Sequence, residues 1–283
     1  MRVLRANHLG MCFGVRDAIE MAREAASREP LTILGELVHN ETVLDELRAR
    51  GIRLCREIDD VDTSSVMITA HGASERRLAA VRGRGLRVLD ATCPLVRAAH
   101  RAVARLAREG FHPVIVGTRD HVEVRGLTED LADFDVVLSE EDVSRLASRR
   151  RFGILAQTTQ PLDRVHDLAA CVRRRFPDSE VRVVDTVCAP TKLRQRAAAE
   201  LAGRCDVTIV IGGAHSNNTR ELAATCRRHC ARVVHVQGAG DLQAEWFDDV
   251  RVAGITAGTS TPESVIDGVQ ARLKDLVKGR VAA

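Results

Sequence analysis

The chain has no tyrosine, one tryptophan (Trp246) and six phenylalanines in 283 residues. Single-stranded nucleic acid is held largely by bases stacked on aromatic rings, and no such platform can be built here. Strong charge is missing too: 42 Lys and Arg against 39 Asp and Glu leave a net of +3. So mild a balance gives little support for nucleic-acid binding, and no nucleic-acid partner is expected, while it suits a small anionic substrate. No run of about 18 apolar residues occurs, and no N-terminal stretch joins a charged start to an apolar core. The expectation is a soluble, cytoplasmic protein with no membrane partner. No Pro-, Gly- or Ser-rich linker interrupts the chain, so its parts should pack tightly together.

What is present is a 45% apolar composition, enough for a sizeable core, and eight cysteines. Such cysteines are expected to be reduced, metal-bound or buried, not paired in disulfides. Three share a local pattern: Cys12-Phe-Gly-Val-Arg16, Cys93-Pro-Leu-Val-Arg97 and Cys188-Ala-Pro-Thr-Lys192. Two also share their approach, Arg87-Val-Leu-Asp-Ala-Thr-Cys93 and Arg182-Val-Val-Asp-Thr-Val-Cys188. A strand, a short turn and a cysteine at a helix start therefore recur, which implies repeated units. The units expected are 13–92, 93–187 and 188–283, with the segment 1–12 joining the third.

A thiol at a helix N-terminus is biased toward thiolate, the form that binds metal. Structural zinc favours ligand pairs close in sequence, and these three cysteines have none nearby. Three lone thiolates suit a cubane iron–sulfur cluster with one iron left open to substrate. The alternative is three buried cysteines that stabilise helix starts. Cys55, Cys171, Cys205, Cys226 and Cys230 lack the repeated context and read as small buried hydrophobes.

Short apolar runs predict strands at 31–34, 66–69, 113–116, 153–156, 207–211 and 252–256. Helical patterns follow at 41–50, 74–82, 94–108, 141–149, 162–175, 191–201 and 218–228. Unbroken apolar strands alternating with helices indicate an α/β fold with parallel sheets covered on both faces. Ligands of such sheets sit beyond the strands' carboxyl ends. The polar clusters fall there: His39-Asn40, Thr69 to Gly72, Gly117 to Glu123, Gln157 to Thr159, Gly212 to Thr219 and Thr256 to Ser260. His39, His71 and His121, with the Ser216-Asn217-Asn218-Thr219 run, make a donor set suited to a diphosphate. An N-cap explains one residue of that run without function. His121-Val-Glu-Val reads as extended, which puts His121 and Glu123 on one face, with Glu123 a candidate proton donor. Thr158 and Thr159 read alone as a helix-cap pair before Pro161.

Taken together, Gly10-Met-Cys12-Phe-Gly-Val, Leu37-Val-His39-Asn40, Thr69-Ala-His71-Gly72, Asp90-Ala-Thr-Cys93-Pro-Leu-Val, His121-Val-Glu123-Val, Gln157-Thr158-Thr159, Ser216-Asn-Asn218 and Ile255-Thr-Ala-Gly-Thr-Ser260 resemble the 4-hydroxy-3-methylbut-2-enyl diphosphate reductase (LytB) family, in family order. The resemblance implies a trefoil of three pseudo-repeated α/β units around a central [4Fe-4S] cluster held by Cys12, Cys93 and Cys188. It implies an oxidoreductase of isoprenoid biosynthesis by the methylerythritol phosphate (MEP) pathway, making isopentenyl and dimethylallyl diphosphate by reductive dehydroxylation. His39, His71, His121, Ser216, Asn217, Asn218 and Ser260 would bind the diphosphate. Thr158 would bind near the substrate hydroxyl, and His121, Thr158 and Glu123 would form the catalytic group, with Glu123 supplying protons. A ferredoxin or flavodoxin would deliver electrons. The chain departs from the family pattern at Leu9, Leu34-Gly35, Val122, Ala189-Pro190 and Asn217. A divergent paralogue acting on another phosphorylated allylic alcohol, or a non-catalytic iron–sulfur sensor, is the alternative.

Overall fold

The computed structural model describes residues 1–281, with side chains up to 276. It opens with β1 (Arg2–Arg5) and α1 (Phe13–Ala26). One sheet's worth of chain follows: β2 (Leu31–Leu34), α2 (Glu41–Ala49), β3 (Arg53–Cys55), β4 (Ser65–Ile68), α3 (Glu75–Gly83) and β5 (Arg87–Asp90). After α4 (Pro94–Arg108) come β6 (His112–Val116), α5 (Val122–Thr128), β7 (Asp135–Val137), α6 (Glu140–Ser144), β8 (Arg151–Ala156), α7 (Leu162–Arg175) and β9 (Glu180–Val183). The last stretch holds α8 (Ala189–Ala202), β10 (Val207–Ile211), α9 (Asn217–Arg227), β11 (Val233–Val236), β12 (Val252–Ala257) and α10 (Glu263–Val281). By its internal contacts the chain divides into two compact units. One comprises Met1–Arg16, Val38–Asp45 and the residues from Ala189 on; the other comprises Asp17–Leu37 and Glu46–Cys188.

The strands form three four-stranded sheets, ordered β3-β2-β4-β5, β7-β6-β8-β9 and β11-β10-β12-β1, and every pair is parallel. All three follow one plan, in which β1 takes the fourth place in the sheet made by the end of the chain. In each, the strand order reverses between the two central strands: β2 and β4, β6 and β8, β10 and β12. The crevice beyond the carboxyl ends at such a reversal is where open α/β sheets bind ligands.

The six strands expected from apolar runs are these six central strands, within a residue or two at each end. Every residue of β2, β4 and β10 is buried, whereas the edge strands β3, β5 and β9 are part-exposed. Edge strands carry polar residues that break the apolar run, as in Arg53-Leu-Cys55 and Asp135-Val-Val137. Helices cover both faces. In the middle sheet Val114 and Val116 of β6 join the cluster built with Val165, Leu168 and Val172 of α7. Ile115 turns the other way, onto Val103 and Leu106 of α4 and Leu127 of α5. Successive strand side chains point to opposite faces, so one strand feeds two cores. Helix α6 is shorter than the expected 141–149; a reciprocal Ser139–Asp142 capping box fixes its start one residue earlier. Among the described residues no helix is long and apolar enough to cross a membrane.

Phe152 on β8 is fully buried and packs 5.0 Å, centroid to centroid, from Phe176 at the end of α7. Phe152→Ala should cost about 3–5 kcal/mol, read as a lowered urea midpoint at unchanged slope. A loss under about 1 kcal/mol would show that this core re-closes around the gap.

Candidate active site

Each of the three repeated cysteines sits immediately before a helix: Cys12 before α1, Cys93 as the N-cap of α4 with Pro94 after it, and Cys188 before α8. Their backbones are hung in one way. The Cys12 N–H donates to the carbonyl of Thr259 (3.1 Å), Cys93 to Ala70 (3.1 Å) and Cys188 to Thr158 (3.0 Å). Each acceptor lies two residues beyond a central strand, β12, β4 and β8. Two residues before each cysteine there is a second tie, to the last carbonyl of the same strand. Gly10 and Ala91 donate it from the backbone, to Ala257 and Ile68, and Thr186 from its hydroxyl, to Ala156. Asp90 and Asp185, three residues before their cysteines, turn the loop by accepting the N–H of Thr92 and Val187. Arg97, one helical turn after Cys93, returns to Asp90 with an ion pair of 2.8 Å and to the Thr92 carbonyl. The shared Asp and base around Cys93 thus shape the cysteine's loop.

Glu123 and Thr158 meet in the unit that holds β2 to β9. The Glu123 carboxyl is 1% exposed. Its Oε1 accepts the Thr158 N–H at 2.6 Å and its Oε2 meets Thr158 Oγ1 at 3.1 Å. Burial pushes its pKa up to about 7, against the two hydrogen bonds from Thr158, which pull it down. Because the Thr158 carbonyl accepts from Cys188, one residue links the buried carboxyl to a cysteine's backbone.

The extended reading of His121-Val-Glu-Val is corrected: α5 begins at Val122, and Glu123 is its second residue. His121 caps this helix, its Nδ1 accepting the Glu123 N–H at 3.1 Å. Accepting at Nδ1 places the proton of a neutral ring on Nε2. His71 packs edge-on against His121, centroids 5.5 Å apart, and its Nδ1 lies 3.3 Å from Thr69 Oγ1. The cap reading of Thr158 and Thr159 is also corrected. Pro161 occupies the N-cap of α7 with no side-chain cap, and Thr158 turns instead to Glu123.

His39, Ser216, Asn217, Asn218 and Ser260 lie in the other unit, with Cys12. A Cβ on Gly213 would lie 2.0 Å from the His39 carbonyl, so only glycine lets the His39 segment pass the loop after β10. Ser216 caps α9, its Oγ accepting the Thr219 N–H at 3.3 Å, and Asn217 and Asn218 form the buried first turn. Asn218 Oδ1 accepts the Thr259 N–H at 3.0 Å, which joins this turn to the loop that carries Ser260 and holds Cys12. Asn218 is 3% exposed and Ser260 5%, yet Asn218 Nδ2 and Ser260 Oγ have no hydrogen-bond partner. Leaving such groups unmet costs on the order of 1–3 kcal/mol each, and an anion would meet both.

Sequence reading missed Arg194. It is buried on α8, donating through Nε to the Gly10 carbonyl (2.9 Å) and through Nη1 to Pro190 (3.0 Å), so it fastens the loop leading to Cys12. An arginine in helical register with Ala197, Ala198 and Leu201 was the available signal. Cys205 and Cys226 are held as thiols, their pKa values pushed by burial to about 11 and about 12.

A sequence model of the LytB protein family matches residues 3–274. The 4-hydroxy-3-methylbut-2-enyl diphosphate reductase of Pelobacter propionicus is 37% identical over 281 residues, covering 98% of this chain and 99% of that protein. The protein of the same name from Aquifex aeolicus is 36% identical over 291 residues, covering 99% of each. The solved E-1-hydroxy-2-methyl-but-2-enyl-4-diphosphate reductase of Plasmodium falciparum superposes with a TM-score of 0.90 at 28% identity, over 96% of this chain and 88% of that one. A second solved structure, of the (E)-4-hydroxy-3-methyl-but-2-enyl diphosphate reductase described as the terminal enzyme of the non-mevalonate pathway, gives a TM-score of 0.69 at 35% identity, over 97% and 100%. With the family model spanning nearly the whole chain and full-length relatives above one-third identity, this chain belongs to the LytB family of 4-hydroxy-3-methylbut-2-enyl diphosphate reductases.

Proposed function

We propose that the protein reduces (E)-4-hydroxy-3-methylbut-2-enyl diphosphate to isopentenyl and dimethylallyl diphosphate, consuming two electrons and two protons and releasing water. The observation that carries this reading is the buried Glu123–Thr158 pair, whose Thr158 carbonyl anchors Cys188. A fully buried carboxyl near pKa 7 is suited to holding a proton at neutral pH and giving it up.

The set of three repeated cysteines fits a [4Fe-4S] cluster. Cys12, Cys93 and Cys188 are in no disulfide, are part-exposed, and each stands at the N-terminus of a helix. They would hold the cluster, which when bound supplies the electrons for carbon–oxygen cleavage. His39, Ser216, Asn217, Asn218 and Ser260 in one unit, and His71 and His121 in the other, are the donors assigned to the diphosphate. The unmet Asn218 Nδ2 and Ser260 Oγ support that assignment. Thr158 Oγ1 can donate to the Glu123 carboxylate or accept from the carboxylic acid, so it follows the proton in either state. Thr158 binds near the substrate hydroxyl, Glu123 delivers the proton there, and the hydroxyl leaves as water. One-electron delivery from a ferredoxin or flavodoxin completes the cycle.

The direct test is anaerobic turnover by cluster-reconstituted protein with a reduced viologen as donor. Both five-carbon diphosphates should appear; an intact cluster without turnover would move the assignment to a different allylic diphosphate. Glu123→Gln should keep the cluster's spectrum and lose most of the rate, about 10²-fold or more, because the amide matches both Thr158 contacts but carries no transferable proton. A near-wild-type rate would remove Glu123 from the chemistry. Cys188→Ser should lose or destabilise the cluster, as measured by iron content, while Cys226→Ser should retain it.

Glu123 also sets a pH dependence of folding. Its pKa is about 7 when folded against 4.5 in water. Its favourable contribution is therefore complete below 4.5 and is lost as pH rises through 7. Relative to Glu123→Gln, the wild type should lose up to about 3 kcal/mol between about pH 5 and about pH 8 in urea titrations. Parallel stability profiles for the two proteins would contradict the buried-acid assignment.

A further inference from the structure

Each sheet leaves its first central strand by the same turn. The residue after β2, β6 and β10 is a glycine: Gly35, Gly117 and Gly212. Its N–H donates to the last carbonyl of the edge strand alongside, that of Cys55, Val137 or Val236 (2.6, 3.0 and 2.9 Å). The edge-strand residue one place earlier is paired with the central strand: Leu54 with Ile33, Val136 with Ile115 and His235 with Val210. Two sheets therefore close this turn beside an apolar residue, and the third beside a side chain that can donate a hydrogen bond. The repeated fold does not require a histidine at this place.

His235 Nε2 lies 2.9 Å from the Gly212 carbonyl. A carbonyl only accepts, so Nε2 carries a proton and donates it. Gly212 and Gly213 are buried, and a buried carbonyl left without a donor is costly. Gln237, two residues on and so on the same side of the strand, accepts the Ala214 N–H at 3.3 Å. The turn fastened in this way leads straight to residues assigned to the diphosphate. Gly213 is the glycine on which a Cβ would lie 2.0 Å from the His39 carbonyl, so the His39 segment rests on the backbone that His235 pins. The Gly213 carbonyl accepts the Ser216 N–H at 3.1 Å, which closes the loop at the cap of α9. The rest of α9 is held separately, by Leu222, Ala223 and Cys226 packed with Ala198 and Ala202 of α8. The backbone ties of Gly10 and Cys12, to Ala257 and Thr259, do not pass through residues 212–216.

We propose that His235 is a positioning residue: by holding the Gly212 carbonyl it sets the seat of His39 and Ser216, and so the grip on the substrate's diphosphate. The inference rests on the assignment of those two residues to the diphosphate. Without the bond, the buried peptide between Gly212 and Gly213 turns toward another donor. The two residues that lean on it are then misplaced together, while the ties of Cys12 are unchanged.

The test uses cluster-loaded protein and two readouts: calorimetric binding of inorganic pyrophosphate, and KM and kcat for the allylic diphosphate. His235→Leu installs the residue that the first sheet has at this place. It should weaken pyrophosphate binding and raise KM roughly tenfold, with kcat altered less than about threefold and the cluster spectrum unchanged. The amide nitrogen of His235→Gln reaches as far as Nε2 and can donate in its place, so binding and KM should return to within about threefold of wild type. Unchanged binding and KM in the leucine variant, a fall confined to kcat, or a glutamine variant as impaired as the leucine one would overturn the proposal. If the leucine variant does not fold, His235→Asn decides, because its shorter amide reaches only as far as Nδ1 and cannot meet Gly212. A raised KM at constant kcat then supports the positioning role, and an unchanged KM overturns it. Wild-type protein that binds no pyrophosphate and shows no turnover would remove the diphosphate assignment and this proposal with it. Wild-type binding that the leucine variant shares removes the positioning role alone.

Discussion

The bond on which the site depends is a backbone one: a cysteine N–H held by the carbonyl two residues beyond a central strand. It occurs three times, at Cys12, Cys93 and Cys188. It gives each thiol a position defined by a buried sheet and an orientation defined by the helix that follows. Loops tolerate change, but a loop tied at both its cysteine and the residue two before it cannot drift without breaking ladder-like bonds. The sheets supply rigidity, and the reversals of strand order open the crevices in which polar residues collect. Chemistry-bearing side chains then need little support of their own, because the ends of the strands place them.

Thr158 shows how tightly this plan couples separate tasks. Its N–H and hydroxyl engage Glu123, and its carbonyl engages Cys188. The placement of a buried carboxyl and that of a thiol are thus set by one residue just beyond β8. The other unit has a like arrangement around Thr259, whose N–H is taken by Asn218 and whose carbonyl takes Cys12. A strand-end residue using both backbone groups, one toward a polar side chain and one toward a cysteine, is the recurrent device of this fold.

Much of this was legible in the sequence, for a physical reason. Central strands are buried on both faces and so read as unbroken apolar runs, and all six were found. Edge strands such as β3 and β7 face solvent along part of their length and carry Arg, Cys or Asp, so the run is lost. The polar clusters after the central strands were legible because their composition contrasts with the apolar residues before them. The conformation of 121–128 was not. An alternating His-Val-Glu-Val pattern fits a strand, and only tertiary packing of Val124 and Leu127 against α4 makes it helical. Arg194 was invisible for another reason: it acts on Gly10, remote in sequence, and sits in no repeated motif.

One feature of the topology bears on how the protein is made. Strand β1 precedes β12, its partner among the described residues, by about 250 residues, so it is made long before the strand it pairs with. Until then the carbonyl that holds Cys12 does not exist, while Cys93 and Cys188 already have theirs. Cys12 is therefore the first of the three cysteines to be made and the last to gain its carbonyl partner.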